Sequence, residues 1–378
     1  MGINYSNAYD LAIQDSWGKI IDSIKIKINL LMNRKLNLYQ KAIIINCMIL
    51  SKVWYTCHTY PLSIEQAKHI EKLIFPYIWN SKSNPVKRHV VYNKKEVGGL
   101  NLLNVYSKAA SIFTKSFLRS FTSSEENDSL VKYYCAIRLN PLLKIRVLPV
   151  NVSFVSTPYY SLVIDIVRNC KNVKNFPTIT SQNIYESIRK IETPLVEEKY
   201  SLFSWDRIWK NIASKFIHSD DRNILFKYLH EILPNNLRLY NIKKKTSPNC
   251  DTCNLEESNL HMFYFCKNNK LLVQYVRGLL QKCLKRTNIS IIKLLFFDTS
   301  GLTQKDSNTA TTLVTSFICT IWYNRENYRN KIDIFKNSIM KNHGYQKIVF
   351  KNKMPKIFNN QYCKINMNFL DSILTPDS

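Results

Sequence analysis

Four residues between positions 250 and 266 combine metal-ligating side chains with a spacing that suits a single ion. Cys250 and Cys253 are separated by two residues, and His261 and Cys266 by four. A Cys-x2-Cys turn brings two thiolates together, and the second pair lies little more than one helical turn apart. Three sulfurs and one imidazole complete the tetrahedral shell that is typical of structural zinc. The spacing therefore predicts one structural Zn2+ and leaves no position for a catalytic water.

The other potential ligands bear on this assignment. Apart from the three in the motif, the ten cysteines of the chain are scattered, several of them within apolar stretches. Isolated cysteines of this kind behave as small core residues and not as partners in disulfides. Free cysteines are typical of reducing compartments, so we expect an intracellular location, cytoplasmic or nuclear. His230 or Cys283 could still fold back and supply the fourth ligand in place of Cys266. The motif could also be metal-free, with Cys250 and Cys253 in a loop, Cys266 in the core and His261 on an apolar strip beside Met262 and Phe263.

The net charge is the second functional signal. The chain has 54 Lys and Arg against 27 Asp and Glu, which leaves a charge of +27 at pH 7. A strongly basic chain is the usual electrostatic mark of nucleic-acid binding, so we expect RNA or DNA as the partner. The longest apolar run, Ala42 to Leu50, is far shorter than the ~20 residues that span a bilayer, so we expect no membrane partner.

The candidate phosphate contacts fall in four basic clusters. They are Arg34, Lys35 and Lys41; Lys87, Arg88, Lys94 and Lys95; Lys243, Lys244 and Lys245; and Arg325 and Arg329. Such cations position a strand without reading its sequence. Tyrosines near these stretches, such as Tyr240 and Tyr323, are candidates for base stacking. Each cluster could instead be a solvated face.

The hydrophobic periodicity predicts a mainly α fold. Apolar residues recur at helical spacing from Trp17 to Leu31 and again from Ala67 to Ile74, where Ser63 and Gln66 could form a capping box at the start of the helix. A short β-like run, His89 to Tyr92, lies in an otherwise irregular stretch. Prolines interrupt the weakly periodic segment from 142 to 193, which we expect to be an irregular connector.

The order of landmarks from Phe226 to Cys266 is itself informative. It runs from Leu-His-Glu-Ile-Leu-Pro at 229–234 through Leu-Arg-Leu at 237–239, the Cys-x2-Cys pair and Glu-Ser at 257–258 to the His-x4-Cys pair. This order resembles the reverse-transcriptase zinc-binding region of LINE-type retrotransposon polyproteins. The seven-residue spacer between the two pairs distinguishes it from the retroviral zinc knuckle, which has four residues there.

Weaker similarities lie on both sides of this region. Segments 34–38, 51–55, 78–79 and 98–100 are similar to the thumb and connector of the same polyproteins, and 321–325 to the tryptophan-arginine helix after the zinc region. The resemblance implies a helical thumb-like region followed by a small zinc-stabilised helical module. The implied divisions are a thumb/connector-like region at 1–125, an irregular connector at 126–200, a zinc-binding-like domain at 201–300 and a basic C-terminal helical tail at 301–378.

The catalytic part of such polyproteins has no counterpart in the sequence. Polymerisation needs paired aspartates on a tight hairpin to hold two magnesium ions. The single adjacent pair, Asp220 and Asp221, follows His218 and Ser219 in a context that predicts a helix start. We therefore expect no catalytic residues and a non-catalytic, C-terminal fragment of a reverse-transcriptase polyprotein that clamps RNA or DNA, with the catalytic part as a possible separate partner.

Two other functions remain open at this point. The zinc motif and the apolar helices could form a zinc-stabilised protein-interaction module without a nucleic-acid role. The chain could also belong to an enzyme that is active only with a missing partner. Salt dependence of nucleic-acid binding separates the first alternative from our expectation, because only phosphate contacts release counterions.

Overall fold

A computed structural model describes residues 9–122, 158–170, 179–285, 290–325 and 331–351, with the backbone alone at 9–10, 121–122, 158–161 and 343–351. These residues form helices and loops and contain no β-strand, although an isolated antiparallel bridge joins Asn249 and Glu256. The expected class, a mainly helical fold with a small Cys/His module, is confirmed.

The described part of the chain divides into two compact units. The first comprises the described residues within 1–92 and 101–192, and the second those within 93–100 and from 193 onward. The division expected at residues 125, 200 and 300 stays a prediction.

The first unit is built from eight described helices. They are α1 (Tyr9–Met32), α2 (Leu38–Ile44), α3 (Ser51–Thr56), α4 (Ile64–Trp79), α5 (Arg88–Val91), α6 (Val105–Thr122), α7 (Pro158–Asn169) and α8 (Ser181–Ile188). The predicted capping box opens α4, since the Gln66 backbone N–H donates to Ser63 Oγ at 3.1 Å and the Ser63 N–H to Gln66 Oε1 at 3.0 Å. Helix α4 continues through Pro76 and ends at Asn80, whose φ is 49°.

Two segments of the first unit differ from the expectation. The β-like run lies in α5, a single helical turn that buries Val90 and Val91. Helices α7 and α8 lie in the segment expected to be irregular, and both contribute to a core with α6 around Leu118, Val163 and Ile184. These helices form because each has an apolar face that this core buries, although prolines interrupt the surrounding segment.

The second unit is also helical. Its helices are α9 (Leu195–Lys199), α10 (Trp205–Ala213), α11 (Ser219–Leu229), α12 (Asn236–Asn241), α13 (Lys270–Leu284), α14 (Ile291–Leu295), α15 (Gln304–Tyr323) and α16 (Lys331–Lys351). One apolar core joins residues from Val196 to Ile339, including Met262 and Phe263 from the Cys/His motif. The motif is therefore anchored in the main core of this unit.

The Gly98-Gly99 pair allows a short turn, Lys95–Val97, to pack against α10. Gly98 has a φ of 75°, and a Cβ there would lie 2.8 Å from the Trp209 ring. Its carbonyl accepts a hydrogen bond from Nε2 of His230 at 2.8 Å. A side chain at Gly98 would therefore be strained and would also clash with Trp209.

Candidate metal centre

The four predicted ligands converge in the second unit. One potential ligand atom from each of Cys250, Cys253, His261 and Cys266 lies within 4.8 Å of all the others. Cys266 Sγ is 3.9 Å from Cys250 Sγ and 3.8 Å from Cys253 Sγ. A tetrahedral zinc with Zn–S bonds of about 2.3 Å separates its sulfurs by about 3.8 Å. The cluster could therefore hold one metal ion with little rearrangement.

The environment of His261 is an independent observation in favour of a metal ion. The residue is 5% exposed, and its Nε2 makes no hydrogen bond within the described part of the chain. A buried polar atom without a partner destabilises a fold by about 1–3 kcal/mol. Coordination of a cation would satisfy this nitrogen, so the donor set fits a metal better than it fits a metal-free core.

A tight loop positions the first two ligands. The Cys250 backbone N–H donates to the Leu255 carbonyl at 2.8 Å, and the Asn254 N–H returns to the Cys250 carbonyl at 2.9 Å. Asn254 adopts a φ of 54°, a left-handed conformation that asparagine tolerates better than most residues. The loop thus turns both thiols toward one point.

The second pair of ligands flanks a π-helical turn, His261–Phe265. The Cys266 N–H donates to the His261 carbonyl at 2.7 Å, which closes the wider turn. Met262 and Phe263 within the turn are buried, and the Phe263 ring contacts the Tyr228 ring edge-on at 5.0 Å between centroids. The core therefore fixes this half of the centre.

The pKa values of Cys266 and Cys253 are shifted in opposite directions. Burial raises the pKa of Cys266 to about 12. Burial also opposes ionisation of Cys253, but hydrogen bonds, first from the Lys267 backbone N–H and then from the neighbouring thiols, lower its pKa overall. A metal must displace the protons that remain on the thiols, so metal binding at this centre is coupled to proton release.

Two contacts around the centre were not predicted from the sequence. The Lys267 backbone N–H donates to Cys253 Sγ at 3.3 Å, and Ser258 Oγ accepts from the His261 backbone N–H at 3.2 Å. A backbone donor carries no sequence signal. Ser258, by contrast, precedes His261 at the spacing of a local side-chain cap, which is a signal that the sequence offered.

Neither alternative fourth ligand belongs to the described cluster. His230 donates to the Gly98 carbonyl and stacks on Trp209 at 5.2 Å between ring centroids. Cys283 lies on α13, packed against the core of the second unit. In the described residues, the fourth member of the cluster with Cys250, Cys253 and His261 is Cys266.

The predicted phosphate contacts differ in how they are placed. Arg34, Lys35, Lys87, Lys94, Lys243 and Lys244 are exposed, whereas Arg88, Lys95 and Lys245 are partly buried. Lys87 pairs with Glu192, and Arg88 lies over the Phe75 ring at 4.5 Å and near Glu71. Arg329 lies outside the described residues.

One predicted contact requires correction because its cation is buried, and a second cation is held in an ion pair at the surface. Lys41 is 3% exposed, and its Nζ donates to the carbonyls of Tyr77 and Ile78 and to Asn80 Oδ1 at the end of α4. Arg325 is partly exposed, and its Nη2 donates to both carboxylate oxygens of Glu257, at 2.6 and 2.8 Å. The sequence shows the charge of a residue but not its burial, so Lys41 was assigned to a surface.

The adjacent aspartates lie at a helix start, as the sequence predicts. Both Asp220 and Asp221 occupy the first turn of α11, and the N-cap residue is His218, whose Nδ1 accepts from the Asp220 N–H. Burial raises the pKa of Asp221. Acidic side chains at this position interact favourably with the positive, N-terminal end of the helix dipole. The pair does not lie on a hairpin of the kind that holds magnesium in a polymerase.

Comparison with other proteins identifies no family for this chain. No protein-family model matches it, and no curated protein matches it significantly. None of the described helices is long and apolar enough to cross a membrane.

Proposed function

We propose that this protein binds single-stranded or double-stranded nucleic acid through basic surfaces and that a structural Zn2+ stabilises the module that carries one of them. The charge of +27 is the observation on which the nucleic-acid role depends. Phosphate contacts are the usual way to offset such an excess of positive charge. In keeping with the reverse-transcriptase resemblance, the proposed role is to clamp RNA or DNA for a catalytic part supplied elsewhere.

The choice of zinc rests on ligand chemistry. Three thiolates and one imidazole suit a borderline-soft cation with tetrahedral preference, whereas magnesium and calcium prefer oxygen ligands. Four protein ligands fill such a shell, so the ion would have a structural role. The protein itself would lack polymerase chemistry, since its adjacent aspartates lie in the first turn of a helix.

The lysine triplet beside the metal centre is the best candidate for a phosphate contact. Lys243 and Lys244 are exposed in the loop between α12 and Cys250, and Lys245 lies 3.5 Å from the exposed Asp251. Exposed pairs of this kind contribute little to stability, so phosphate could replace Asp251 as a partner. The triplet is thus able to meet a strand without disturbing the fold.

The test is to replace Lys243, Lys244 and Lys245 by Ala and to measure binding of a generic single strand over a range of salt concentrations. Each lost contact should reduce the slope of log K against log salt by about 0.7, so the triple variant should lose roughly two units. A matched triple variant at the exposed Lys215, Lys282 and Lys305 serves as a control for net charge.

The two variants have the same net charge, so only a local contact distinguishes them. Equal slopes for both variants would assign the triplet to a solvated face. Binding that does not respond to salt even in the parent protein would instead favour the zinc-stabilised protein-interaction module.

A further inference from the structure

The metal module exposes an aromatic ring directly beside one of its ligands. Phe265 is 59% exposed, although it follows the buried residues His261, Met262 and Phe263 in the same turn. An exposed phenyl ring has an unfavourable contact with water unless a partner covers it. Phe265 is therefore an exposed phenyl ring held on an otherwise buried turn.

The position of Phe265 is fixed by its neighbours. Cys266 follows it and belongs to the metal cluster, while the Tyr264 ring contacts the Phe265 ring edge-on with centroids 4.9 Å apart. Tyr264 itself packs against the core of the second unit. A ring whose orientation is restricted by such a contact loses less conformational entropy when a ligand stacks on it than a ring without one.

Cations lie beside the ring along the chain. Lys267 and Lys270 are both exposed, and the Lys267 backbone is tied to the centre by its N–H bond to Cys253 Sγ. Two residues of chain span about 7 Å at most, so the Lys267 backbone lies within that distance of Phe265. An aromatic ring with adjacent lysines is the combination that binds unpaired nucleotides, by stacking and by phosphate contact.

We propose that Phe265 stacks on an unpaired base of a bound nucleic-acid strand, with Lys267 and Lys270 contacting the adjoining phosphates. The inference rests on the proposed function and narrows it to a strand with accessible bases. The occupant is a nucleobase rather than an apolar protein surface, because the ring is flanked by positive charge in a chain of +27. A base offers a π face and an anionic backbone together.

The experiment compares two labelled strands of equal length and charge, one with bases and one abasic. Replacement of Phe265 by Ala should weaken binding of the strand with bases at least about five-fold and leave the abasic strand unaffected. The salt slope should stay the same, since no phosphate contact is removed. Phe265→Trp should retain the affinity, and Phe265→Leu should behave like Phe265→Ala because it lacks a ring.

Leu202→Ala is the matched control, since Leu202 is an exposed apolar residue of the same unit, 94% exposed. Zinc content and melting temperature should equal those of the parent protein in every variant, because each replaced side chain is exposed. Unchanged binding of the strand with bases by Phe265→Ala would overturn the proposal. So would equal weakening for the two strands, or full affinity in Phe265→Leu. A parent protein that binds neither strand would instead refute the proposed function itself.

Discussion

Cys253 is the most accessible of the four clustered ligand residues, because the other three are buried. Replacement of Cys253 by Ser removes one thiolate and changes the packing very little. We expect the zinc content to fall well below the value of about one ion per molecule and the melting temperature to fall with it, since ligand loss in a structural site removes folding free energy. Elemental analysis and thermal denaturation of the purified protein measure both effects.

Cys283→Ser is the control for this prediction, because Cys283 lies on α13 outside the cluster. It should keep its zinc. Full occupancy in Cys253→Ser would refute the ligand assignment, and loss of zinc in Cys283→Ser would revive the alternative fourth ligand.

His230 should make the stability of the second unit sensitive to acid. Burial, opposed in part by the hydrogen bond to Gly98, lowers the pKa of His230 to about 4 from the ordinary histidine value of about 6.5. Between these values the unfolded chain binds a proton that the folded protein does not, so stability falls as pH falls from about 6.5 to 4. Each pH unit in this window lowers the free energy of unfolding by up to about 1.4 kcal/mol.

His230→Gln tests this effect, since glutamine can donate a hydrogen bond to Gly98 but does not titrate. Urea denaturation at several pH values should show a shallower acid loss in the variant than in the parent protein. An identical loss in both proteins would mean that other groups cause it.

Single residues also show what the sequence could and could not predict about the site. The four ligands were predicted because metal geometry constrains residue type and spacing within one short segment. Lys41 was misplaced, and the ion pair of Arg325 with Glu257 was not predicted, because the partners Asn80 and Glu257 come from distant parts of the chain. The exposure of Phe265 depends on which side of the turn the core covers, which the sequence does not show.

Helix α15 is joined to the metal loop by an ion pair with a buried acid. Arg325, just beyond the end of α15, contacts Glu257 and also donates to the Pro234 carbonyl at 3.0 Å and to Asn236 Oδ1 at 3.0 Å. The Glu257 side chain is 6% exposed and that of Arg325 is 32% exposed. This arrangement connects the C-terminal end of α15 with the segment between the two ligand pairs.

Removal of one partner should cost more than removal of both. Arg325→Met leaves a buried carboxylate without its counter-ion, so we expect the free energy of unfolding to fall by roughly 2–4 kcal/mol. The double variant Arg325→Met with Glu257→Leu should recover most of this loss. Urea denaturation of the single and double variants measures the coupling, and additive losses would show that the pair does not connect the two segments energetically.

Elements with strong local signals were predictable, and elements that depend on tertiary contacts were not. The start of α4 was evident because Ser63 and Gln66 satisfy backbone donors within one turn. Helix α5 was read as extended because β-branched residues favour strands locally, yet Val90 and Val91 are buried in a helical turn. Helices α7 and α8 were missed because the prolines at 149, 158 and 177 suggested an irregular segment, whereas each helix is amphipathic and buries its apolar face.

The charge of the whole molecule should govern how it associates with polyanions. With +27 in total, many weak phosphate contacts can form without any one of them being essential. Affinity should therefore depend more on salt than on sequence. The metal centre would contribute by holding the segment from Lys243 to Lys270 in one conformation.

The most direct test of this account is the affinity of the zinc-loaded protein for a generic single strand as salt is raised. Log K should fall linearly with log salt, with a slope steeper than about −2, which corresponds to at least three phosphate contacts. Binding should thus weaken by at least an order of magnitude between low and physiological salt. An affinity that stays constant over this range, or no binding at low salt, would contradict the proposal that the charge serves nucleic acid.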